Sequence, residues 1–294
     1  MVLRRAPKRR SVTIVLGLIA DVVQPANMID PATGTILLCA DTMASYVNPS
    51  GAIAASHGGL GKIYPLPHDF YAAFSDDYSW SHKVASELHN EMLKLDFTSD
   101  GIRDLVQLAM VKAFDYAFLW YRGGVCKDLG ITEDEYLHDV NLDPRLKQAA
   151  QDELSTARAD IPAELIVAGQ THRGPVLFKG NGTDVQEATD FVASGSAVES
   201  ATNWFKLRGQ NCHMSTQRSF YHMREAKTFA ETDKYVGENA QYVIFPVGGE
   251  PKLMKERGDL MGRWQDEFGM RHTDQLDSPD RRQSFKTAFG IDGI

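Results

Sequence analysis

Three side chains stand where apolar runs begin or end. Thr13 opens the run TIVLGLIA at 13–20, Asp41 closes TILLCA at 35–40, and Lys62 begins KIYPL at 62–66. A threonine hydroxyl is a poor nucleophile at neutral pH and needs a neighbouring base. A free α-amine, titrating at about 7.7–8.0, is matched to that task. A lysine ammonium beside the hydroxyl would favour the alkoxide and lower the pKa of the amine. An aspartate beside that lysine would hold it in place and keep it charged. Each residue also has an ordinary reading: a β-branched strand residue for Thr13, a turn former for Asp41, an edge charge for Lys62. Ser11, two positions earlier, is a competing hydroxyl if the strand register moves by two. Ser194-Gly195-Ser196 precedes a helical segment, where it reads as an N-cap arrangement, and Asp233 follows one as a terminating polar residue.

The elements that must carry these groups follow from the apolar pattern. Residues 11–20 and 35–40 are β-rich and apolar on both faces, as buried strands are. Between them, 21–34 holds two prolines and a closing glycine, which predicts a long turn. The Gly-rich stretch 50–61 reads as a loop. Residues 62–66 and 69–74 form the arms of a hairpin about Pro67-His68. A helix is predicted over 78–95, with Trp80, Val84, Leu88 and Met92 on one stripe. A second runs over 100–121 behind a Ser99-Asp100 cap. The polar, acidic stretch 123–162 reads as an inserted surface hairpin or lid with a helical piece at 144–158. Strands at 163–169 and 175–179 pair across 172–174, and 191–193 leads into Ser194. Helices at 197–207 and 215–232 and a strand at 240–245 complete the block. From 248 to 294 apolar residues thin out, which predicts a weakly packed tail with a short helix around 253–268.

Strands in antiparallel-looking runs separated by helix pairs do not make the βαβ alternation of a doubly wound sheet. They predict an α+β fold: a four-layer αββα sandwich of two antiparallel sheets covered by helix pairs. The organisation is a basic leader or tail at 1–12, a main domain at 13–245, and a polar C-terminal extension at 246–294.

Composition narrows the function. Of 294 residues, 43% are apolar and 24% charged, ordinary globular usage that excludes a disordered or fibrous chain. The formal net charge of −8 disfavours nucleic-acid partners. The apolar run Ile14 to Ala20 falls far short of the roughly 20 residues that span a bilayer, so no membrane association is expected. Five basic groups among the first ten residues stand without a secretory apolar segment behind them. The three cysteines, Cys39, Cys126 and Cys212, have no metal-ligand spacing and suit a reducing, cytoplasmic setting. The nine histidines, among them His82, His89, His213 and His222, form no H-E-x-x-H pattern, so neither metal nor cofactor is expected.

Taken in order, several segments resemble the proteasome β-type family of N-terminal nucleophile hydrolases, including its HslV-like and Anbu-like branches. Thr13-Ile-Val-Leu-Gly-Leu resembles the first strand, which begins at the nucleophile. Leu38-Cys-Ala-Asp41-Thr42 is similar to an A-A-D-S strand end, and Lys62-Ile-Tyr-Pro-Leu to the strand bearing the catalytic lysine. Val192-Ala-Ser194-Gly195-Ser196 resembles G-S-G, and Asp233-Lys-Tyr235-Val236-Gly237 resembles D-x-Y-S-G-G. The resemblance covers roughly 12–245 and implies a threonine-type endopeptidase subunit acting on unfolded polypeptides. Thr13 would attack the peptide carbonyl with its freed amine as base. Lys62 would supply positive charge, Asp41 would orient Lys62, and Ser194 and Asp233 would support the amine. The family also implies a ring-forming homo-oligomer and an ATP-dependent unfoldase as a partner.

Departures from the pattern define the alternatives. Val12 stands where the family has the glycine that precedes the nucleophile, and it is stiffer and bulkier. Residues 1–12 must be removed for the amine to be free. The family's oxyanion-hole segment corresponds by counting to Ser75-Asp76-Asp77; the Asp76 N–H can serve, provided its carboxylate points away. Val236 replaces a serine. These features describe a non-catalytic scaffold or assembly subunit on the same fold as well as a peptidase. A small-molecule amide hydrolase of the same nucleophile class is the third reading.

Overall fold

The computed structural model describes residues 13–24, 32–42, 44–47, 53–56, 61–155, 161, 163–182, 184–232, 236, 239–255, 263–264, 266–267 and 273–291. Ser11, Val12 and the rest of 1–12, together with Asp233, lie outside them.

The first sheet has five strands in the order β10-β1-β2-β11-β12. They are β1 (Ile14–Val23), β2 (Thr33–Asp41), β10 (Phe191–Gly195), β11 (Ala240–Phe245) and β12 (Lys252–Lys255). The second has the order β5-β6-β7-β8-β9, from β5 (Ile63–Pro65), β6 (Tyr71–Asp76), β7 (Ala163–Thr171), β8 (Gly174–Gly180) and β9 (Val185–Glu187). The pairings within both sheets are antiparallel. Two short strands, β3 (Ala44–Val47) and β4 (Ile53–Ser56), form a separate ladder. Part of the expected 50–61 loop is therefore strand.

The sheets stack face to face. Val15, Ile19, Ile36, Leu38 and Val243 of the first meet Ala73, Ile166, Ala168 and Leu177 of the second. Because strand side chains alternate, the other face of each sheet is also apolar and needs a cover. Helices α1 (Tyr78–Met92) and α2 (Ile102–Asp128) cover the second sheet through Val84, Leu88, Val106, Met110 and Phe114. Helices α5 (Val198–Leu207) and α6 (Thr216–Ala230) cover the first through Phe205, Phe220 and Met223. The result is the expected α+β four-layer sandwich.

Three expectations change. The lid-like insertion begins as an uninterrupted continuation of α2 to Asp128, where Cys126 is buried. Then α3 (Glu133–His138) and α4 (Pro144–Ser155) fold back on α2. Across this fold-back Glu133 of α3 bonds Arg122 of α2 at 2.8 Å. At the start of α2 the N-cap is Gly101, and neither Ser99 nor Asp100 caps the helix. The tail is the largest change. β12 extends the first sheet, and a 3-10 turn (Thr273–Asp277) and α7 (Pro279–Phe289) pack on α6. Trp264, Leu276, Phe285 and Ile291 join the core beneath α6. Fully burying a side chain of the Leu or Phe class stabilises by roughly 1.5–3 kcal/mol, so these residues belong to the domain and are not an appendage.

One irregularity ties the tail to the sandwich. The β1–β2 register shifts between Ala20 and Val23, and Asp21 sits at φ 51°. Its carboxylate accepts from the Thr216 N–H at 2.8 Å and the Thr216 hydroxyl at 2.6 Å, holding the first turn of α6, and Arg282 of α7 reaches it at 3.2 Å.

Candidate active site

The β1–β2 register pairs Val15 with Ala40, which brings the start of one strand beside the end of the other. Thr13 immediately precedes β1, and Asp41 is the last residue of β2. By strand alternation Thr13 shares the face of Val15, which looks across the interface toward the second sheet. From that sheet comes Lys62, one residue before β5, its carbonyl accepting from the Phe74 N–H at 3.1 Å. Thr13, Asp41 and Lys62 are all buried. The Lys62 ammonium donates to the Thr13 hydroxyl oxygen and, at 2.7 Å, to Asp41 Oδ1. Three residues separated by up to 49 positions thus converge on one ammonium.

Their electrostatics follow from burial. Desolvation pushes the Lys62 pKa below its ordinary value, and the Asp41 carboxylate opposes the shift. The charged lysine stabilises a developing alkoxide. The oxygen of Thr13 therefore has a cation on it and an anion behind the cation. That arrangement lowers the cost of making a threonine nucleophilic.

The backbone of Thr13 is fixed separately. Its carbonyl accepts from the Ser196 N–H at 2.9 Å, and Ile14 pairs with Gly195. Gly195 has φ 113°, and a Cβ there would lie 1.9 Å from the Thr13 carbonyl oxygen. Glycine is required because the two backbones touch.

Ser194 is buried on β10, and its hydroxyl lies 2.6 Å from Ser75 Oγ on β6 and donates to Glu164 on β7. It bridges the two sheets. Helix α5 starts at an Ala197 N-cap without a side-chain bond, so the Ser194–Ser196 turn is not a capping device. Asp233 lies outside the described residues, and Val236, in the same segment, is buried in the core beneath α6.

The Ser75-Asp76-Asp77 segment ends β6 and opens α1. Asp77 is spent as the α1 N-cap, accepting from Ser79 N at 2.9 Å and Trp80 N at 3.1 Å. Alternate N–H groups of a strand point to the same side. Phe74 N–H points toward Lys62, so the Asp76 N–H two residues on also points to the Lys62 side of β6. A backbone donor on that side is the kind of group an oxyanion site uses.

Sequence reasoning named Gly195, Ser196 and Ser75 only as members of matched segments, without these contacts, and missed Ser81 and Glu164 altogether. Gly195 had a visible signal, a glycine between two serines at a strand end. Glu164 had none, since it is one acidic residue in an apolar strand. Among the described residues no group of three or more histidine, cysteine or acidic side chains is placed to hold a metal ion, and no helix is long and apolar enough to cross a membrane.

No family model matches the sequence, and no curated protein matches it. Solved structures do match the fold. An Anbu mutant from Hyphomicrobium sp. strain MC1 aligns over 93% of this chain and 96% of its own, with a TM-score of 0.54 and 14% identity. Anbu from Yersinia bercovieri, described as an ancestral beta-subunit, aligns over 87% of this chain and 92% of its own, with a TM-score of 0.55 and 10% identity. At these identities the likeness is one of fold: the chain shares the architecture of these Anbu structures.

Proposed function

We propose that the chain is a proteasome-like threonine-type endopeptidase subunit. The observation that carries this reading is the buried Lys62 ammonium shared between the Thr13 hydroxyl and Asp41. In the proposed cycle the Val12–Thr13 bond is first cleaved, which frees the Thr13 amine. Thr13 Oγ attacks the carbonyl carbon of a peptide bond, and the hydroxyl proton passes to that amine. Lys62 stabilises the alkoxide character of Oγ, and Asp41 holds Lys62 in place. The Asp76 N–H supports the oxyanion. The amine proton then passes to the departing amide nitrogen, leaving an ester on Thr13. Water, activated by the same amine, hydrolyses the ester and restores the hydroxyl.

The fold likeness to a protein described as a beta-subunit supports assembly of several copies into a ring; unfolded polypeptide as substrate and a cytoplasmic, ATP-dependent unfoldase as its supplier complete the proposal. The test is hydrolysis of an unfolded polypeptide by the oligomer, with Thr13→Ala and Lys62→Met as controls. Turnover abolished by both variants supports the reading. Turnover that survives Thr13→Ala overturns it.

A non-catalytic scaffold is the second reading, favoured by Val12 before Thr13 and by Val236 in place of a serine. It requires a stable oligomer that keeps residues 1–12 and hydrolyses nothing.

A further inference from the structure

The carbonyl of Ser75 and the N–H of Asp76 belong to one planar peptide and point in opposite directions. The carbonyl end of that peptide is held. Ser81, buried on α1, donates its hydroxyl to the Ser75 oxygen at 2.8 Å. The side chain of Ser75 is held as well, by the hydroxyl of Ser194, which donates in turn to Glu164. A carboxylate accepts only, and each hydroxyl has one proton. The order of donors is therefore fixed: Ser75 to Ser194, and Ser194 to Glu164. Lys179 braces the far end, 3.7 Å from Glu164 Oε2 and donating at 3.0 Å to the Ala193 carbonyl of β10. The same chain links β6, which carries Asp76, to β10, whose last residue, Gly195, and the following Ser196 lie against the Thr13 carbonyl.

We propose that Ser81 and Glu164 are positioning residues that aim the Asp76 N–H at the oxyanion formed when Thr13 attacks. Neither touches substrate. Ser81 sets the plane of the peptide, and Glu164 sets the spacing of β6 from β10. The proposal rests on the threonine-peptidase reading.

The experiment compares the full-length chain with Ser81→Ala, Glu164→Ala and Glu164→Gln. Steady-state peptide hydrolysis is measured alongside affinity for a peptide aldehyde, whose hemiacetal on Thr13 carries the oxyanion. Removing an oxyanion donor outright costs about 10²–10³ in kcat, and a misplacement of about 1 Å costs about 10². Ser81→Ala is expected to lower kcat roughly ten- to a hundredfold with KM unchanged, and to weaken aldehyde binding by the same factor. Glu164→Gln keeps an oxygen that accepts from Ser194 and is expected to retain near wild-type kcat, whereas Glu164→Ala behaves like Ser81→Ala. Unchanged kcat in Ser81→Ala and Glu164→Ala, beside an active wild type, overturns this proposal alone. So does a loss carried by KM with aldehyde affinity intact. An inactive wild type that forms no adduct with the aldehyde overturns the peptidase reading, and this proposal with it. If Ser81→Ala fails to fold, the two Glu164 variants decide.

Discussion

Gly195→Ala is the sharpest perturbation of the Thr13 backbone. The added Cβ would stand 1.9 Å from the Thr13 carbonyl oxygen, where contacts under 3.0 Å are essentially never found, so the two backbones must separate by about 1 Å. The backbone also has φ 113°, which an L side chain rarely adopts, at a cost of order 1–3 kcal/mol. Separation strains the Ser196 N–H bond to Thr13, worth about 1 kcal/mol. The total is roughly 2–4 kcal/mol of stability, with the nucleophile displaced by a distance that costs about a hundredfold in rate. Gly209→Ala is the matched control. Gly209 has φ 62° with nothing within 4 Å of its Cβ position, so it reports backbone strain alone, about 1 kcal/mol. Urea unfolding and peptide hydrolysis of both variants make the assay. Gly209→Ala should lose about 1 kcal/mol and retain kcat; Gly195→Ala should lose more of both. Equal stabilities and equal rates in the two variants would refute the claim that Gly195 sets the position of Thr13.

Other outcomes are expected from the same geometry. Lys62→Ala leaves the Asp41 carboxylate buried without this cation, so it should cost about 3–5 kcal/mol in chemical denaturation as well as abolish hydrolysis. Phe285→Ala should cost about 3–5 kcal/mol, because the tail helix is core; a weakly packed tail would lose under about 0.5 kcal/mol. His222 is buried between Gln210 Oε1 at 2.9 Å and Thr273 Oγ1 at 3.2 Å, and burial pushes its pKa from 6.5 down to about 3. The unfolded chain therefore binds the proton first. Stability from this group is full above about pH 6.5 and is lost as pH falls toward 3, with a slope approaching 1.4 kcal/mol per pH unit. Urea midpoints at pH 7, 6, 5 and 4 should show that slope in the wild type and a slope one proton shallower in His222→Gln.

Much of this was legible in the chain because the strands leading to the site are apolar on both faces. Runs such as TIVLGLIA and TILLCA have no stable place except between a second sheet and a helix layer, and each delivers one polar residue to the same edge of the sandwich. The tail was not legible because its anchors, Trp264, Leu276, Phe285 and Ile291, arrive singly from irregular or short segments. No window of periodicity collects them. The 123–162 segment misled because its polar, acidic composition hides that the second helix runs on through Gly123 and Gly124 to Asp128. The family resemblance drew attention to Ser194 but not to the partner of its hydroxyl, Glu164, thirty residues earlier on a different sheet, and no local pattern announces such a pairing.

The central claim is that the hydroxyl held by Lys62 becomes the nucleophile once its own amine is free. Intact mass of the hydrolytically active oligomer is the decisive readout, taken before and after reaction with a peptide epoxyketone, whose ketone is attacked by Oγ and whose epoxide is then opened by the free amine, so that the adduct is irreversible and needs both groups of one residue. A chain beginning at Thr13 is expected, with one adduct per chain, mapped to that residue and absent from Thr13→Ala. Full hydrolytic activity in a chain that still carries residues 1–12, or an adduct mapped elsewhere, would contradict it.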